Sequence, residues 1–202
     1  MPAPSEPQGV VGSLVRTILS QNTTGRNSEA AYRSLRTRLP DWRQVADARL
    51  STIAAAIRGA GLARQRSKTI QDVVRRLVAE DPSLGAAYLR HMPTAAAVEY
   101  LRSLPGVGPK TAACVALFEL GRAVFPVDTH VLRLAKRLGW VGTAASAGDA
   151  QAALEPLIPR RLRYELHVNL IRHGRATCGA RRARCGQCVL EGLCPRLGVV
   201  VQ

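Results

Sequence analysis

Four cysteines, Cys178, Cys185, Cys188 and Cys194, fall within 17 residues as C-x6-C-x2-C-x5-C. Thiolates so close, in a chain whose opening MPAPSEPQGV has no export signal, read as metal ligands rather than disulfides. Zinc more often takes two CxxC knuckles, and all-cysteine ligation also suits a cubane iron–sulfur cluster, so spacing leaves both open. The fifth, Cys114, reads as a small buried hydrophobe. Amine chemistry has three possible seats. Of 29 basic residues only Lys68, Lys110 and Lys136 are lysines, and the rest are arginines, whose guanidinium stays charged. Lys110 ends the string Leu104-Pro105-Gly106-Val107-Gly108-Pro109-Lys110. Its glycines admit backbone conformations closed to other residues and let a phosphate approach main-chain N–H groups. Pro109 suits a first helical position, which sets Lys110 in the first turn, where the helix dipole favours a neutral amine. The run from Thr111 to Phe118 is apolar on nearly every side, so the helix should be buried with Lys110 at its mouth, in a setting fit for a nucleophile. Asp128, in Val127-Asp128-Thr129-His130, is placed to cap the next helix and so to hold an ionised carboxylate in place. His130 reads as structural.

The elements that must carry these groups are helical. Apolar residues recur at three and four in Val11–Leu14–Val15–Ile18, Ala30–Ala31–Leu35, Ile53–Ala56–Ile57 and Ile70–Val73–Val74–Leu77–Val78. Breaks fall at Pro40-Asp41, Gly59 to Gly61, Asp81-Pro82, Pro105 to Pro109 and Gly121 to Pro126. Leu162, Tyr164, Leu166, Val168 and Leu170 alternate as in a strand, but no second strand exists to pair with them, so helix is expected. A boundary between two lobes is expected in the last break, giving 1–123 and 124–202. The fold class is all-α.

The balance of 29 basic against 14 acidic residues gives +15, a self-repulsion that a polyanion would relieve. Nucleic acid is the leading partner and an anionic membrane surface the second. The longest apolar run, Ala112 to Phe118, is far too short to span a bilayer. From Arg160 onward nine arginines face two acidic residues, and this stretch holds the four-cysteine loop. A metal clip would hold that loop rigid for reading a phosphate backbone.

The strings LPGVGPKTAA, PVDTH, HGRATC and C-x6-C-x2-C-x5-C, with ILSQNTT and GLARQRSKTI in support, together resemble the endonuclease III family of helix-hairpin-helix DNA glycosylases. The resemblance runs from about Val10 to Pro195. It implies a two-lobed fold, a six-helix lobe and a lobe with a [4Fe–4S] cluster held by Cys178, Cys185, Cys188 and Cys194, with a DNA groove between them. It implies a duplex substrate whose damaged base, typically an oxidised pyrimidine, is flipped out. Lys110 matches the nucleophile that attacks the sugar C1′ and forms a Schiff base, after which β-elimination cuts the strand. Asp128 matches the essential carboxylate. Leu104, Gly106, Val107 and Gly108 match the phosphate-holding hairpin, and Leu62 the wedge. An ungapped match puts Asn22 where the family has a Gln that fills the vacated stack, with Gln21 the alternative one residue earlier. The chain starts only about a score of residues before ILSQNTT, so the family's N-terminal helix is expected to be absent or abbreviated.

Two rivals remain in view. Mismatch- or deamination-directed glycosylases with weak or no lyase activity usually replace the nucleophilic lysine, which Lys110 argues against. A non-catalytic iron–sulfur DNA-binding module would have no need of both Lys110 and Asp128. The expectation is a monomer without membrane attachment, working on DNA in the reducing cytoplasm.

Overall fold

The computed structural model describes residues 9–84, 86 and 88–199. The opening residues 1–8, on which the expectations about an export signal and about the family's N-terminal helix rest in part, lie outside them. The chain forms two compact units, one up to Gly121 and one from Arg122.

Among the described residues, eight α-helices build the first unit: α1 (Gly9–Ser20), α2 (Gly25–Arg38), α3 (Trp42–Asp47), α4 (Leu50–Ala56), α5 (Ala63–Glu80), α6 (Tyr88–His91), α7 (Thr94–Ser103) and α8 (Pro109–Phe118). Their core is the set of apolar stripes. Val11, Leu14, Val15 and Ile18 of α1, and Ile70, Val73, Val74 and Leu77 of α5, are all at most 1% exposed. The chain's turn chemistry sets the helix starts: Thr24 accepts from the amide of Asn27, and Asp41 forms a capping box with Gln44. Helix α8 packs against α1 and α7, and Thr111 through Leu117 are buried as its composition requires. Phe118 departs from that expectation: the helix ends there and the ring is 44% exposed.

The second unit contains α9 (Thr129–Arg137), α10 (Ala147–Leu154) and α11 (Arg163–Ala176). Phe125, Val127, Val131, Leu134, Ala135, Ala150, Leu154 and Leu170 form its core. The alternating segment is α11. Its buried residues are Arg163, His167, Leu170 and Gly174, spaced four, three and four apart. Two of those four are polar, so the buried face escapes an apolar pattern search while Leu162 and Tyr164 stay exposed. Among the described residues there is no strand beyond a single bridge between Cys178 and Ala183, and no helix is long and apolar enough to cross a membrane.

Candidate functional site

The glycine string is a tight corner between α7 and α8. Leu104 and Val107, 2% and 5% exposed, plug it into the core, and the Val107 amide bonds to the Leu104 carbonyl at 3.1 Å. Pro105, Gly106 and Gly108 are thereby left on the outside. Gly106 has φ +68°, and a Cβ there would lie 2.6 Å from Cγ2 of Thr69 on α5. Only glycine satisfies both the left-handed backbone and that approach. Gly108 precedes α8 with no capping side chain and Pro109 supplies its first turn, so helix geometry gives the amides of Lys110 and Thr111 no intrahelical partner. An anion set against this corner would meet those N–H groups and the positive end of the helix. The Lys110 side chain is half-buried beside them.

Asp128 caps α9, with one carboxylate oxygen accepting from the amides of His130 and Val131, each at 2.8 Å. The other oxygen takes no part in the cap. The residues before it are held by side chains that sequence reasoning passed over. Arg163 donates to the carbonyls of Ala123, Glu155 and Ile158, the Phe125 amide donates to Glu155 at 2.9 Å, and His167, 1% exposed, donates from Nδ1 to the Pro126 carbonyl at 2.8 Å. His130 has the structural role expected, stacked against Gly174 where α9 meets α11, with its Nδ1 3.1 Å from Arg133. Burial pushes its pKa down, against a smaller upward pull from Asp128.

Near the start of α5, Leu62 is a large apolar side chain 59% exposed on a backbone at φ 49° and ψ 34°. For a non-glycine residue this left-handed conformation costs about 1–2 kcal/mol. Asn22 is also left-handed, at φ 48°, a conformation asparagine tolerates better than most. Gln21 is tied down: its side-chain amide donates to the Thr111 hydroxyl at 3.2 Å, and its carbonyl accepts from Arg66. Gln21, Leu62, the hairpin and Lys110 thus all belong to the first unit, and Asp128 to the second.

The four cysteines of the C-terminal run line one cavity, together with Leu134, Leu138, His173 and Arg137. All are free thiols, and Cys114 lies apart, buried in α8. No three of them, alone or with His or carboxylate groups, gather about a point that one ion could fill among the described residues. Two of the sulfurs have donors: Arg137 reaches Cys178 Sγ at 3.1 Å, and the Leu190 amide reaches Cys188 Sγ at 3.4 Å. Arg133 and Arg137 bind the carbonyls of Cys178, Gly179 and Ala180, which staples the loop to α9. Gly179 is required there, since a Cβ would fall 2.6 Å from the Arg182 carbonyl oxygen. The donor set and cavity fit a thiolate-bound group.

A helical corner that offers backbone amides to an anion, followed at once by a lysine, defines a helix-hairpin-helix protein. A family profile described as HhH-GPD superfamily base excision DNA repair protein matches residues 15–160, and the chain belongs to that family. A DNA glycosylase homologue from Arabidopsis thaliana is 38% identical over 178 residues, 88% of this chain, and the chain spans 61% of its length. Endonuclease III of Sulfolobus acidocaldarius is 31% identical, covering 93% of this chain and 82% of that protein. The DNA glycosylase/AP lyase ROS1 of Arabidopsis thaliana is 32% identical, but the chain spans only 12% of it. Among solved structures, a trapped endonuclease III–DNA covalent intermediate superposes with TM-score 0.81 at 27% identity, covering 94% of this chain and 84% of that one. A thermostable thymine-DNA glycosylase, 21% identical with TM-score 0.78, shares the fold.

Proposed function

We propose that the protein is a base-excision DNA glycosylase with AP lyase activity, acting on oxidised pyrimidines in duplex DNA. The observation that carries the lyase half is Lys110, half-buried in the first turn of a core helix directly after the anion-binding corner. The corner holds a backbone phosphate at Gly106–Gly108, Leu62 wedges into the stack, and Asn22 fills the space left by the extruded nucleotide. Asn22 takes that role over Gln21 because the Gln21 amide is committed to Thr111.

The chemistry then follows from the groups. The Lys110 amine forms a bond to C1′ as the N-glycosidic bond breaks and the base leaves with its electron pair. The sugar ring opens to a Schiff base on Lys110 Nζ, and loss of a proton from C2′ expels the 3′ phosphate. Asp128, fixed by its cap, stabilises positive charge at the sugar as it develops and assists proton movement.

Cys178, Cys185, Cys188 and Cys194 would hold a [4Fe–4S] cluster. When bound, the cluster supplies rigid cross-linking of the loop, whose arginines then meet the DNA backbone with less ordering entropy to lose. All four cysteines line one cavity, and the similarity to endonuclease III supports an iron–sulfur cluster over zinc. Purified protein should carry iron–sulfur visible absorbance that Cys185→Ala abolishes; a colourless zinc protein would refute the assignment. The protein is taken to act as a cytoplasmic monomer.

The substrate assignment is tested by incision of duplexes carrying an oxidised pyrimidine, a deaminated base or a mismatch. Strand cutting at the oxidised pyrimidine, absent in Lys110→Ala, is the expected result. Release of a mismatched or deaminated base without strand cutting would move the protein to the monofunctional class.

A further inference from the structure

Arg66 sits in the charged stretch Arg64-Gln65-Arg66 of α5, yet it is only 4% exposed. Among the described residues its guanidinium bonds to backbone carbonyls and to no carboxylate. One arm, Nη1, donates to the carbonyls of Ala60 and Gly61, the latter at 2.9 Å, and the other, Nη2, donates to the carbonyl of Gln21. Burial lowers its pKa, the sign of a cation held out of water. A buried charge is kept only where its hydrogen bonds are worth more than its lost hydration, so these carbonyls are fixed by it as much as it is fixed by them.

The carbonyls belong to two loops that meet nowhere in sequence. Gln21 immediately precedes Asn22, and Gly61 immediately precedes Leu62, and each following residue is a non-glycine in the left-handed region. Strained backbone persists only where its surroundings over-determine it, and here one planar guanidinium grips both loops next to the strained residue. From Gln21 the connection continues through the side-chain amide to Thr111, the residue after Lys110.

We propose that Arg66 is a positioning residue that locks the Gln21–Asn22 loop and the Gly61–Leu62 loop into one rigid jaw, registered by Gln21 against the start of α8. Leu62 and Asn22 then engage the duplex as a unit. The functional half of this inference rests on the repair reading above, but the mechanical half does not. A lysine cannot reproduce it, because a single ammonium cannot span both loops as the forked guanidinium does.

Hydrogen exchange without DNA tests the lock. In Arg66→Gln the amides of residues 22–24 and 60–63 should lose protection together, with the α1 and α8 core unchanged, and Arg66→Lys should loosen the same two segments to a lesser degree. Loosening of only one segment, or of neither, in both variants overturns the proposal. Should Arg66→Gln fail to fold, Arg66→Lys decides by the same criterion.

The functional arm is a double-mutant cycle of Leu62→Ala and Asn22→Ala, read as the rate of incision of a lesion duplex. In the native background the two effects should be coupled by about tenfold, and with Arg66→Lys the coupling should fall to about unity. Coupling that persists undiminished would contradict the jaw. An intact lock in the exchange data with no incision by the native protein would sink the repair assignment and leave Arg66's mechanical role standing.

Discussion

Asp128 caps α9, and the proposed function gives the same carboxylate a second task that substitution can separate from the first. Asparagine caps a helix about as well as aspartate, whereas alanine costs about 1 kcal/mol. Asp128→Asn should therefore leave the melting temperature close to that of the native protein while incision collapses, and Asp128→Ala should lose both. Equal incision by Asp128→Asn and native protein would reduce Asp128 to a cap. Two other residues give stability a pH dependence of defined sign. His130 is held by burial below its ordinary pKa of 6.5, so the unfolded chain binds more protons and stability falls as pH drops below that value. Glu80, lowered first by the Tyr100 hydroxyl and then by Arg76, contributes stability above 4.5 that is lost as pH falls further. Thermal melts from pH 7 to 3 should show loss in both windows, and Glu80→Gln should flatten the lower one. A melting temperature that rises on acidification would contradict both assignments.

The helices differ in how plainly the chain announces them. Helices α7 and α8 are bounded by Pro105 to Pro109, a stretch in which proline and glycine punctuation decides the ends, and α5 carries a clean apolar stripe on 18 residues. Such features are local and could be read directly. Helix α11 could not, because half of its buried face is arginine and histidine. The side chains that fix the site share this difficulty. Arg66, Arg163 and Arg137 are long cations in arginine-rich segments, where a solvated surface is the natural expectation, and only the fold brings distant carbonyls and a sulfur within their reach. Likewise nothing in a leucine's identity signals a left-handed backbone at Leu62. By contrast, Gly174, in HGRATC, has a reason visible once α9 and α11 are paired: a Cβ would meet Cβ and Nδ1 of His130 and the Arg133 guanidinium, each at 3.1 Å. Gly174→Val should destabilise the protein by about 1–3 kcal/mol through overpacking. A thermal melt checks it, and an unchanged midpoint would mean the two helices separate at no cost.

Over the whole molecule the dominant property is a charge of +15, with arginines concentrated around the cysteine loop. Each phosphate contact should steepen the fall of log affinity with log salt by about 0.9. Affinity for an undamaged duplex that stays flat between low and physiological salt would contradict the electrostatic reading. Charge and composition announced a nucleic-acid partner, but they carry no information about chemistry, which depends on where one amine sits. The most direct test of that is reductive trapping. Native protein is incubated with an abasic-site duplex and borohydride, and the adduct is mapped by peptide mass. A covalent adduct at Lys110 that disappears in Lys110→Ala is the expected result; no adduct, or one that persists through another residue, would contradict the account.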